Sequence, residues 1–171
     1  MEVKKALLGR TSIRSYDSRA VERGLLEELI RAGMAAPSAV NMQPWRFIVI
    51  TNRKILDTLG EKLPYARMLL HAPAAIAVCG DLRKTTGEKE REYWVQDCSA
   101  ASENILLAAH GSGLGAVWTA VYPVDERVDA VQSALDIPSY YVPLNVIALG
   151  YPAEERRAKD KWDPGKITWL E

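Results

Sequence analysis

Ala36-Pro37-Ser38-Ala39-Val40-Asn41-Met42-Gln43-Pro44-Trp45-Arg46-Phe47 stands between a helical pattern and an apolar strand pattern, and its reading decides the rest of the chain. Pro37 and Pro44 fix the backbone at either end, and Pro37 forbids continuation of the helix before it. Ser38, Asn41 and Gln43 offer hydrogen-bond donors and acceptors, while Trp45 and Phe47 open a buried run. A plain helix-to-strand connection needs none of this polar decoration. The segment suits holding a flat polar ligand.

Upstream, Leu25, Leu26, Leu29 and Ile30 share one face among Glu22, Arg23, Glu27, Glu28 and Arg31, which predicts a helix from 18–21 to 34. Before it, Val3, Ala6 and Leu7 predict a short helix stopped by Gly9. Downstream, 47–50 reads as a strand, Ile55, Leu56, Leu59 and Leu63 as a helix ending near Pro64, and 75–79 as a buried strand. The longest helical pattern runs from about Glu88 to His110 and is apolar nearly all round in its second half. A strand over 116–121, a helix over 125–135 and a strand over 144–149 follow. A charged segment over 154–166 and a short apolar run over 167–170 end the chain. Four strands among five helices predict one α/β or α+β unit on a single sheet. No linker or repeat divides residues 1–171.

Lys plus Arg and Asp plus Glu balance at 22 each, so the chain lacks the basic field that nucleic-acid binding uses. Its apolar runs are far shorter than the ~20 residues of a membrane span, and Met1-Glu2-Val3-Lys4-Lys5 begins no signal peptide. A cytoplasmic location is expected, with Cys79 and Cys98 as buried, reduced thiols. His71 and His110 have no ligand-spaced partners, so no metal site is expected. Gly111, Gly113 and Gly115 follow a helix and precede a strand, the reverse of a phosphate-binding fingerprint, and read as a helix cap and a tight strand entry. Ser12 and Ser38 lack a nucleophile-elbow pattern and a base.

Arg10-Thr11-Ser12-Ile13-Arg14 sets two guanidiniums around two hydroxyls, an anion-site composition that a solvated turn would also have. Arg156-Arg157-Ala158-Lys159-Asp160-Lys161 reads either as a second such cluster or as a solvated face.

Together, Arg10-x-Ser12-Ile13-Arg14, the 36–45 segment, Gly113-Leu114-Gly115 and Gly150-Tyr151-Pro152-Ala153-Glu154-Glu155 give the chain a resemblance to the nitroreductase family of flavoproteins, as a short member. The resemblance implies an α+β fold on a central mixed, mostly antiparallel sheet flanked by helices, an intertwined homodimer, and FMN at sites shared between subunits. It further implies that Arg10, Thr11 and Ser12 contact phosphate and ribityl, and that Arg14 lies beside the flavin pyrimidine edge. Pro37, Ser38 and Ala39 would reach the flavin of the neighbouring subunit, with Asn41 and Gln43 as amide contacts or loop braces. The stretch Trp118, Thr119, Ala120 and Val121 would run along the isoalloxazine near N5, and Lys159 and Lys161 would complete the phosphate site.

Three departures stand out. Lys161 occupies a position where Arg is commoner, the 63–68 region carries no Asn or Lys for the flavin, and the 81–92 stretch is short. The implied activity is two-step hydride transfer from NADH or NADPH through FMN to an electron-poor small molecule of nitroaromatic, quinone or enone type. No catalytic side chain is expected, Arg14 serving only to tune the flavin electrostatically. The alternative is a flavin storage, sensing or delivery protein with little turnover.

Overall fold

The computed structural model describes residues 2–84 and 92–171. Four strands, β1 (Trp45–Ile50), β2 (Ala74–Asp81), β3 (Gly115–Ala120) and β4 (Tyr141–Gly150), form one sheet in the order β1-β2-β4-β3, every neighbouring pair antiparallel. Five α-helices accompany them among the described residues: α1 (Val3–Gly9), α2 (Arg23–Met34), α3 (Arg53–Lys62), α4 (Tyr93–Gly111) and α5 (Asp125–Leu135). This is the expected α+β class. A bridge between Ser12 and Ala116, outside the four strands, supplies the parallel component.

The sheet is covered on both faces, which explains the unbroken apolar reading of β2. Ile76, Val78, Ile147 and Leu149 pack with Leu26 and Leu29 of α2 and Ile105 of α4. Ala75, Ala77, Cys79, Val146 and Ala148 pack on the other face with Leu56 and Leu59 of α3, Leu69, and Val131 of α5. Val78 opposes Asn145 while Cys79 opposes Pro143, so Leu144 is an extra residue in β4. Asn145 Nδ2 donates to Ser102 Oγ of α4 at 2.8 Å, and that hydroxyl donates to the Cys98 carbonyl oxygen at 2.7 Å.

Helix starts follow capping chemistry. Asn52 Oδ1 accepts the Lys54 N–H at 3.0 Å and fixes the start of α3. In contrast, α2 begins at Arg23, later than the 18–21 implied by the pattern, because Glu22 is extended and makes no side-chain cap bond. Val21 is buried ahead of the helix rather than in it. The expected start of the long helix at Glu88 lies outside the described residues, and α4 runs from Tyr93.

Cys79 and Cys98 are both free and buried, and burial pushes the Cys79 thiol up to about 12 and raises that of Cys98 too. They stay protonated and inert. No helix among the described residues is long and apolar enough to cross a membrane. Apolar side chains are left outside at both termini: α1 exposes Val3, Leu7 and Leu8, and the segment after β4 exposes Trp162, Trp169 and Leu170, the last at 95%.

Candidate functional site

The 10–14 segment leaves α1 and runs along the open edge of β3. The Ile13 N–H donates to the Ala116 carbonyl oxygen at 3.1 Å, and Gly115 lets the chains close: a Cβ there would lie 2.7 Å from Ile13 Cβ. Glu154, beyond β4, grips the same segment, one carboxylate oxygen accepting the Arg14 N–H at 2.8 Å and the Ser15 N–H at 3.1 Å. The Arg14 N–H, followed by the Arg156 side chain, holds the Glu154 carboxyl below the usual range. Tyr16, buried behind, donates its hydroxyl to the Ile13 carbonyl oxygen at 2.7 Å.

Beside this segment is a cleft of about 210 Å³, with walls supplied by Arg14, Pro64, Tyr65, Met68, Thr119 and Arg127, together with Val117, Trp118 and Ala120 of β3. The backbone of β3 contributes to it directly. The Val121 N–H donates to the Leu144 carbonyl oxygen at 3.0 Å, and bonded residues alternate along an antiparallel ladder. Trp118 and Ala120 therefore turn their N–H groups away from β4, toward the open edge. Arg127, in the first turns of α5, donates from Nη1 to the Ala120 carbonyl oxygen at 3.4 Å. The Thr119 hydroxyl is buried with no hydrogen-bond partner among the described residues. No carboxylate lines the cleft among the described residues.

A second cleft, of about 430 Å³, lies on the α4 face and is lined by Pro37, Ser38, Ala39, Tyr93, Gln96, Asp97 and Ala100. Its loop is internally fastened. Asp97 Oδ1 accepts the Ala39 N–H at 2.9 Å, Ser38 Oγ accepts the Gln43 N–H at 3.0 Å, and Gln43 Nε2 donates to Asn41 Oδ1 at 2.8 Å. Val40, Asn41 and Gln43 all adopt positive φ, at 43°, 58° and 49°. For a β-branched residue such as Val40 that is a strained conformation.

The structure thus divides the residues singled out in the sequence. Arg14 joins Trp118, Thr119 and Ala120 in one cleft, with Arg10, Thr11 and Ser12 just upstream, where Arg10 pairs with Glu103 at 3.5 Å. Pro37, Ser38 and Ala39 line the other, with Asn41 and Gln43 bonded to each other behind them. Val121 is fully buried and its N–H is taken by β4. Lys159 and Lys161 are exposed on the segment after β4 and line neither cleft. Arg127 and Asp97 had no local signal for these positions, each sitting in a helical stretch where solvent exposure is the ordinary expectation, whereas Glu154 belongs to the 150–155 motif that carries the resemblance.

These features can be set against known proteins. The model of the nitroreductase family matches residues 7–64 and 60–151. A Methanothermobacter thermautotrophicus protein, provisionally named NADH dehydrogenase/NAD(P)H nitroreductase, is 48% identical over 167 residues, covering 98% of this chain and 86% of its own. The crystal structure of a similarly named protein from Parabacteroides distasonis superimposes with a TM-score of 0.93 at 47% identity, covering 99% of this chain and 98% of that one. A nitroreductase homologue from Desulfovibrio desulfuricans, solved in complex with FMN, gives a TM-score of 0.83 at 30% identity, covering 100% of this chain and 97% of that one. The fold, the edge cleft beside Arg14 and this agreement along almost the whole chain lead to one conclusion: the chain belongs to the nitroreductase family.

Proposed function

We propose that this protein is an FMN-dependent oxidoreductase that passes a hydride from NADH or NADPH to an electron-poor small molecule. The observation that carries the reading is the pairing of two arginines, Arg14 and Arg127, with the open edge of β3 in one cleft. Arg14, Arg127 and the outward-turned N–H groups of Trp118 and Ala120 border one slot, which no carboxylate lines among the described residues. The pyrimidine side of an isoalloxazine is rich in acceptors, so the donor set fits it.

FMN, when bound, supplies the redox chemistry, taking a hydride at N5 and giving it to the acceptor. The chain's own residues bind and tune. Arg14 offers fixed positive charge where reduction leaves negative charge, and this favours the reduced state. The N–H of Trp118 or Ala120 can donate to the ring edge without taking part in proton transfer. Arg10, Thr11, Ser12, Lys159 and Lys161 are proposed for the phosphate and ribityl chain, with Arg10 exchanging its Glu103 partner for phosphate.

The homodimer completes this reading. The two clefts share no residue, one lying at the open edge of β3 and the other against α4, so a flavin site built from both walls is supplied by two chains. A groove of about 980 Å³ runs between α2 and the open edge of β1, with Leu26, Ile30, Met34 and Phe47 among its walls. The exposed run Ile167-Thr168-Trp169-Leu170 of a second copy suits that groove, covering the apolar walls and the unpaired strand edge together.

Titration of FMN-stripped protein with FMN, followed by anaerobic addition of NADH or NADPH, tests the function. Saturable binding, bleaching by one of the nucleotides and reoxidation by a quinone or nitroaromatic are expected. Failure to bind FMN refutes the proposal. Tight binding without bleaching by either nucleotide favours flavin storage, sensing or delivery.

A further inference from the structure

The Arg14 cleft contains a cation that the family resemblance did not single out. Arg127 enters from α5 on the side away from the 10–14 segment, and its Nη1 is held by the Ala120 carbonyl oxygen. Seven other arginines, Arg10, Arg19, Arg23, Arg46, Arg53, Arg83 and Arg156, pair with carboxylates. Arg14 and Arg127, like Arg31, Arg67 and Arg157, have no ion pair among the described residues, and of these five only Arg14 and Arg127 line this slot. Two like charges beside one small cleft repel each other, and no group in its walls offsets them. An acceptor-rich or anionic ligand would.

We propose that Arg127 is a second cation for the pyrimidine side of the bound flavin, acting with Arg14 to hold the negative charge that two-electron reduction leaves there. The inference rests on the FMN reading and adds a residue to it. Its geometry differs from that of Arg14. Arg14 rides on a segment positioned by Glu154 and the edge of β3, whereas Arg127 is carried on a helix and steered by one bond to the Ala120 carbonyl. That bond occupies a single N–H of a five-donor group, leaving the others for the cleft. Because Ala120 also turns its N–H to the same edge, the residue that steers Arg127 borders the ring position proposed for the main-chain donor.

The chemistry balances without a further reactant. With FMN bound, a hydride from a nicotinamide, two electrons and one proton, would leave a surplus negative charge on the pyrimidine side, which Arg14 and Arg127 would share.

The test compares Arg127→Ala, Arg127→Gln and Arg127→Lys with the wild type in three measurements: thermal melting, affinity of the stripped protein for oxidised FMN, and midpoint potential of the bound FMN. Gln keeps a donor for the Ala120 carbonyl and removes the charge, whereas Lys keeps a charge and loses the planar fork. Ala and Gln should both weaken the hold on reduced FMN at least tenfold relative to oxidised FMN, lowering the potential by about 30 mV for a two-electron couple. Lys should recover more than half of that shift. Unchanged potentials in folded, FMN-bound Ala and Gln variants overturn the proposal while leaving the FMN reading intact. A wild-type potential in the Gln variant with a lowered one in Ala overturns it too, assigning Arg127 to the backbone bond. A wild type that takes up no FMN overturns both readings. Should the Ala variant fail to fold, the Gln and Lys pair decides.

Discussion

Gly115→Ala tests whether the close approach of the 10–14 segment to β3 builds the candidate site. The added Cβ would lie 2.7 Å from both Cβ and Cγ2 of Ile13. Carbon atoms settle at about 3.5–4.0 Å, so the chains must part by roughly 0.8 Å or more. No rotamer change relieves this, because the Ile13 Cβ is fixed to its backbone. Parting stretches the bond from the Ile13 N–H to the Ala116 carbonyl, already at 3.1 Å, out of range. Overpacking costs about 1–3 kcal/mol and the broken bond about 0.5–1.5 kcal/mol, giving a loss of about 1.5–4.5 kcal/mol. Urea unfolding at fixed protein concentration reads the loss, and FMN titration should show weaker binding because Arg14 moves with Ile13. Gly24→Ala is the control. No atom lies within 4 Å of its added Cβ, and a helical Ala should gain up to about 1 kcal/mol. A Gly115→Ala protein with wild-type unfolding midpoint and wild-type FMN affinity would refute the reasoning.

Val40→Gly should raise stability by roughly 0.5–1 kcal/mol: left-handed backbone costs an L-residue about 1–2 kcal/mol, the unfolded chain gains some freedom, and the exposed side chain gives up little packing. A lowered urea midpoint would argue that the Val40 side chain is buried in the assembly. Arg14→Ala should lower the potential of bound FMN, and spectroelectrochemistry showing no shift would remove Arg14 from its tuning role. Acid should destabilise the fold. Arg83, by its side-chain hydrogen bonds first, holds the buried Asp81 carboxyl below its ordinary value, and the Arg14 N–H does the same for Glu154. Both groups titrate lower in the folded chain than in the unfolded one, so the folded chain binds fewer protons through that range. Their stabilisation is complete above the ordinary value of about 4 and is lost as pH falls through the folded value. Urea midpoints measured down to about pH 3 should fall for the wild type and less steeply for Asp81→Asn; parallel curves would exclude Asp81 as a cause.

What could be read ahead of the structure follows from range. The strands and helices were legible because each buries a periodic set of neighbours in sequence, as β2 does with Ala75 to Cys79 and α3 with Leu56 and Leu59. The order β1-β2-β4-β3 was not, since it depends on pairings such as Ala77 with Val146 that leave no local trace. The start of α2 was misjudged because Glu22 sends no side-chain capping signal. At the candidate site, Arg14 and the 37–39 loop were visible as unusual local compositions. Arg127 was not. An arginine among Asp125, Glu126 and Asp129 looks like any solvated helix residue until the sheet edge is set beside it. Asp97 was hidden similarly, in a helix whose polar positions carry no mark of the Ala39 N–H that one of them accepts.

The separation of the clefts, one at the β3 edge and one against α4, has a genetic consequence on the proposed assembly. A subunit defective in the Arg14 wall and one defective in the 37–39 loop would each be inactive alone. Mixed, they would form hybrids in which one site inherits both lesions and the other inherits neither. Two dead alleles would then restore up to half of the sites within each hybrid, whereas two lesions in the same wall would restore none.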